Sequence, residues 1–108
     1  MRTIALGFGI GGLLFTGLAM AADKAGDAAK GKEVFDQCSV CHNTDTDEKK
    51  IGPSLKGLFQ RDKLKNGKAV TVDNVKAMIN TGGNGMPSYA DLLSEQEKAD
   101  VIAYLKTL

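Results

Sequence analysis

Both thiols and the single imidazole of this 108-residue chain lie in one pentapeptide, Cys38-Ser39-Val40-Cys41-His42. That clustering limits the available chemistry sharply. A structural zinc site needs four ligands, and no cysteine or histidine remains elsewhere to complete one. A disulfide across two intervening residues is strained and leaves His42 without a role. A redox dithiol needs a strand before it in a βαβ context, whereas the residues before Cys38 have helical spacing. The spacing does suit a porphyrin. Two thiols separated by two residues reach the two vinyl groups on one ring edge, and the next histidine turns its imidazole under the iron. C-x-x-C-H is the attachment pattern of one covalent c-type haem, held through Cys38 and Cys41 with His42 on the metal.

One histidine fills one axial position, so bis-histidine ligation within the chain is excluded. Methionine sulfur is the next donor. Met1 and Met20 belong to the N-terminal apolar segment, which leaves Met78 and Met86. Met78 falls in an apolar helical stripe, where methionine ordinarily fills core space. Met86 falls in Gly82-Gly83-Asn84-Gly85-Met86-Pro87, read as a flexible loop in which an apolar side chain has no packing reason of its own. Met86 is the expected sixth ligand. Met78, or an open or water-bound position, is the alternative.

Covalent haem attachment agrees with the start of the chain. Arg2 precedes an apolar run from Ile4 to Ala22 without an acidic residue, closing on Ala19-Met20-Ala21. These are the n-region, h-region and A-x-A element of an export leader. Residues 1–22 are therefore expected to be cleaved after Ala21 or Ala22, giving a domain over 23–108 in the periplasm. An uncleaved membrane anchor is the alternative, since a run of about 20 residues can cross a bilayer core. Against it, Gly7, Gly9, Gly11, Gly12 and Gly17 weaken the helix and no basic cluster follows. Loss of Arg2 leaves 13 positive charges against 13 negative. With no basic tail, nothing suggests nucleic-acid binding.

Three helical patterns predict an all-α domain. The first follows Asp27 as N-cap and runs to about Gln37, with Ala28, Gly31, Phe35 and Cys38 on one narrow face. Gly31 in that face is costly unless another element approaches closely there. The second spans about Thr71 to Thr81 and stops at Gly82-Gly83. The third opens with the capping box Ser94-Glu95-Gln96-Glu97 and carries Val101, Tyr104, Leu105 and Leu108 along one side. Residues 42–70 and 82–93 are long connections with no convincing strand. With no Trp and few other aromatics, they need something besides side chains to pack on, and a haem would supply it.

Five motifs in order make the chain resemble the class I mono-haem cytochromes c of bacteria. They are Gly31-Lys32-Glu33-Val34-Phe35, Cys38 to His42, Ile51 to Phe59, Gly85-Met86-Pro87, and Asp100 to Lys106. The resemblance covers nearly all of 26–108 and implies the cytochrome c fold, three main helices around one covalent haem. It implies that Gly31 and Phe35 cross the last helix against Val101 and Tyr104. It makes the Pro53 carbonyl the acceptor for the second His42 nitrogen, and Leu55 and Leu58 haem-packing residues. Arg61 resembles a position near the haem propionates. The tryptophan that often bonds a propionate in this family is absent, leaving Arg61, Asn74 or water as the donor.

The resemblance and the ligand set imply an electron-transfer protein, not an enzyme: a periplasmic one-electron carrier, expected to be a monomer. Its redox donor and acceptor would dock at the exposed haem edge. Lys49, Lys50, Lys56, Arg61, Lys63, Lys65 and Lys68, with Asp62 the one acid among residues 49–68, would favour an acidic partner. The haem subunit of a periplasmic oxidoreductase complex is the alternative function. A gas- or peroxide-reactive haem protein is a third class, and it requires Met86 to be absent from the iron or labile.

Overall fold

The computed structural model describes residues 25–108, so the expected leader, residues 1–22, lies outside them. Three helices form: α1 (Ala28–Phe35), α2 (Val72–Thr81) and α3 (Glu95–Leu105), with a single 3₁₀ turn at Leu58–Gln60. Among the described residues there is no strand, only isolated bridges pairing Lys63 with Ala69 and Gly83 with Met86. The domain is all-α, with long connections.

Each helix begins where a side chain satisfies its first free N–H groups. The Asp27 carboxylate accepts from the backbone of Ala29 and Lys30. The Thr71 hydroxyl accepts from Asn74 N. Ser94 and Glu97 exchange both bonds of a capping box. Such caps contribute about 1 kcal/mol each. α1 ends at Phe35, two residues before the expected Gln37, because the chain tightens there. Cys38 N and Ser39 N both donate to Phe35 O, at 2.7 and 2.9 Å, and Cys41 N and His42 N both donate to Cys38 O, at 3.1 and 3.0 Å. The attachment pentapeptide is thus wound as turns directly off the end of α1.

α1 crosses α3 backbone to backbone. A Cβ on Gly31 would overlap the Asp100 carbonyl and lie 2.9 Å from Tyr104 Cβ. The partners in the crossing are therefore the Asp100 main chain and Tyr104, while Val101 is buried beside them at 2% exposure. The Phe35 and Tyr104 rings meet at 5.3 Å between centroids, tilted by 53°, within the separation at which aromatic pairs attract. The buried Asp100 carboxylate accepts from Asp27 N at 2.8 Å and from Gln96 Nε2 at 3.0 Å, tying the start of α1 to α3.

α2 joins α3 through an ion pair. Glu95 takes Lys76 Nζ at 2.6 Å and Lys98 Nζ at 2.9 Å. Hydrogen bonds from these two ammoniums pull the Glu95 carboxyl down from 4.5 to about 2. A carboxyl with a lowered folded-state pKa stabilises the fold above its ordinary value, and that contribution disappears as pH falls through the folded value. Glu95→Gln should therefore melt below wild type at neutral pH. The gap in Tm should shrink between pH 4.5 and about 2, which thermal melts across that range would measure.

Candidate haem-binding site

The core and the site share residues. Phe35, Leu58, Val75, Ile79, Leu93, Val101, Ile102 and Leu105 form the buried cluster. Phe35, Ile79, Leu93, Val101 and Leu105 also line an open cleft, together with Cys38, His42, Leu55, Met86 and Tyr89. The space it encloses together with its open mouth is about 380 Å³. Apart from one imidazole, one thiol and one phenol, the wall is hydrocarbon and thioether.

Three segments deliver the chemistry. The turns after α1 bring Cys38 and His42 to the cleft, with Cys41 half-buried on the same turn. The 51–55 loop then lies against the imidazole. A Cβ on Gly52 would sit 2.6 Å from His42 Cε1 and 2.9 Å from Nδ1, so only glycine lets this backbone approach so closely. Gly52 N donates to Cys41 O at 2.7 Å, and the Pro53 carbonyl lies 2.7 Å from His42 Nδ1. A carbonyl can only accept, so Nδ1 carries the proton and Nε2 keeps the lone pair. That second bond fixes the tautomer and makes the free nitrogen a better metal ligand.

The third segment brings Met86. Asn84 and Gly85 both take positive φ, 53° and 93°. Gly83 and Met86 exchange backbone hydrogen bonds at 2.9 and 3.0 Å around them. This is the two-residue turn that an Asn-Gly pair favours. The segment expected to be a flexible loop is therefore a pinned turn that sets Met86 on the cleft wall.

The other expected residues divide. Leu55 is on the cleft wall, whereas Leu58 is buried in the adjoining core and not on that wall. Arg61 is also off the wall. Its Nη2 donates to Ser54 O at 3.0 Å and Lys56 O at 2.6 Å, stitching the 54–61 loop together. Met78 is half-buried on α2 and not among the residues of the cleft wall, and the Asn74 amide donates to Ala69 O at 2.9 Å. Sequence reasoning missed Tyr89 and Leu93, which come from the segment after Met86. Nothing in the sequence set them apart from the other apolar residues of the same stretch, Ala90 and Leu92.

The residues fit a covalent haem c. Burial, and then the neighbouring Cys41, push the Cys38 thiol up from its ordinary value. A redox dithiol needs the opposite, a thiol lowered towards the thiolate. Two thiols on one turn, an imidazole with Nδ1 occupied and its ring cradled by Gly52, a thioether and an apolar wall make a donor set for iron in a porphyrin, not for zinc.

Comparison with known proteins leads to the same place. The family model described as Cytochrome c matches residues 28–108. The chain is 34% identical over 112 residues to the cytochrome c2 of Blastochloris viridis, covering 88% of each protein. It is 37% identical over 82 residues to a cytochrome c6 of Synechocystis sp., covering 75% of this chain and 65% of that one. Among solved structures, cytochrome c6 of the diatom Phaeodactylum tricornutum superposes with a TM-score of 0.61 at 28% identity, over 76% of this chain and 93% of that one. Cytochrome cH of Methylobacterium extorquens gives 0.60 at 26% identity, over 77% and 100%. With sequence, cleft and relatives in agreement, this chain belongs to the cytochrome c family as a small class I c-type cytochrome, an electron carrier that takes covalent haem c.

Proposed function

We propose that the protein is a periplasmic one-electron carrier with His42 and Met86 as axial ligands, exported by cleavage of residues 1–22 and working as a monomer. The observation that carries this reading is that His42 and Met86 open onto one cleft from separate turns, with Cys38 on its wall. Bound there, a haem c supplies a single-electron iron couple. Iron held by both His42 and Met86 would keep no open position, which would disfavour ligand exchange and oxygen activation. The soft Met86 sulfur favours the reduced metal and raises the potential. The apolar wall acts in the same direction, because a low-dielectric surrounding penalises the extra positive charge of the oxidised state. Export is supported by the leader composition of residues 1–22 and by the attachment motif itself. No helix among the described residues is long and apolar enough to cross a membrane.

Partner docking is assigned to the side carrying the attachment turn. Val40 and Ile51 are exposed there, at 66% and 74%. Lys49, Lys50 and Lys56 are exposed in the same stretch, with Lys63, Lys65 and Lys68 further along. An apolar contact among lysines suits an acidic redox partner, with association slowed by salt.

A carrier and a gas- or peroxide-reactive haem protein separate in one experiment. One equivalent of ferricyanide should oxidise the reduced protein completely. Carbon monoxide on the reduced protein and cyanide on the oxidised protein should leave the absorption spectra unchanged at neutral pH. Ready formation of the carbonyl spectrum in folded protein would overturn the reading.

A further inference from the structure

Lys98 is buried to 3% exposure, in the first turn of α3. Both facts are unfavourable for a cation. The positive end of the helix dipole repels it, and a lysine is almost never fully buried unless paired. Its ammonium donates to Glu95 Oε2 at 2.9 Å and to the backbone carbonyl of Ala90 at 3.0 Å. Stability alone does not account for such a residue, because apolar replacement of a buried pair is often neutral or stabilising. The Ala90 bond does. Ala90 stands four residues after Met86, between Tyr89 and Leu93, which are both on the cleft wall. The 87–93 segment is tied to α2 by Tyr89 N donating to Ile79 O at 2.9 Å. Lys98 supplies the corresponding tie to α3.

We propose that Lys98 is a positioning residue for Met86: its buried ammonium latches the 87–93 segment to α3 and so holds the thioether in place on the cleft. The inference rests on Met86 being the sixth ligand. Glu95 orients the ammonium, and the Ala90 carbonyl is the point where it acts. Loss of the latch frees the segment on the α3 side, while the Asn84-Gly85 turn and the α2 tie remain. The folded protein then spends more of its time with Met86 displaced, and added imidazole captures that state.

The test titrates the oxidised holoprotein with imidazole and follows the charge-transfer band of ferric iron bound by thioether sulfur. Far-UV circular dichroism monitors the helices in parallel. Lys98→Met keeps the aliphatic stem and removes the ammonium. It should bind imidazole about tenfold more tightly or better, the scale expected for losing a charge-assisted hydrogen bond, with helix content unchanged. Lys98→Leu, which likewise carries no donor, should shift in the same direction if Lys98→Met does not fold. Glu95→Gln keeps the ammonium and its Ala90 bond and should stay within about twofold of wild type, less than the loss of that bond would give. Wild-type imidazole affinity in the folded Lys98 variants would overturn the latch, as would an equal shift in Glu95→Gln. Met86→Ala separates the two readings. If it loses the band while the Lys98 variants match wild type, only the latch fails; if it keeps the band, the ligand assignment fails and the latch with it.

Discussion

Met86→Ala should abolish the thioether charge-transfer band of the oxidised protein and lower the midpoint potential by on the order of 0.2 V, against the roughly 0.8 V that axial ligands span in haem proteins. The reasoning runs from the wall of the cleft. Met86 is the methionine that the Asn84-Gly85 turn sets there, whereas Met78 lies on α2 outside it. Alanine supplies no donor, so water or an added ligand takes the position and the preference for reduced iron is lost. The variant should also bind carbon monoxide in its reduced state, which wild type should not. Met78→Ala is the control and should keep the band. Spectra and spectropotentiometry of both variants measure all of this.

Gly31→Val should be the most damaging single change to the fold. The atom a side chain would strike first is the Asp100 carbonyl, which is backbone and cannot rotate aside. The helices must move apart, and α3 carries the consequences. Its Asp100 carboxylate would withdraw from Asp27 N and the cap of α1, while Val101 and Leu105 would leave the cleft wall. Overpacking of this kind costs about 3 kcal/mol or more, from a total of about 5–15 kcal/mol for a typical domain. At roughly 4–8 °C per kcal/mol for a domain this small, thermal melts should show a Tm lower by about 12 °C or more. Covalent haem loading should fall with it. A shift of a degree or two would mean that α1 and α3 do not cross at Gly31.

How far such features could be read in advance depended on the range of the interaction. The caps at Asp27 and Ser94 act within three residues, so the sequence alone located those two helix starts, whereas Thr71 was legible only as the approximate start of an apolar spacing and its capping bond to Asn74 N was not. Gly31 was legible as a cost that only a close helix crossing explains. The pentapeptide from Cys38 to His42 was legible because its spacing is itself the chemistry. Tyr89 and Leu93 were not, since a loop becomes a cleft wall only once α2 and α3 fix its ends. Lys98 was hidden for the same reason. In Ser94-Glu95-Gln96-Glu97-Lys98 it reads as one more solvated charge, and only the return of the 87–93 segment over α3 buries it. The Asn84-Gly85 turn carries a local signal, an Asn-Gly dipeptide, but the backbone bonds between Gly83 and Met86 that make it a pinned turn instead of a flexible loop are visible only in the structure. Arg61 differs again. Its guanidinium is spent on the carbonyls of Ser54 and Lys56, a loop-internal use that no motif marks.

The central claim is that this is a one-electron carrier whose iron sits between an imidazole and a thioether. A potentiometric titration of the purified holoprotein, followed optically, tests it most directly. The expected result is one Nernstian transition with a single electron at a positive midpoint, with the thioether charge-transfer band present in the oxidised state and lost on reduction. A strongly negative midpoint, or an oxidised spectrum without that band, would contradict it.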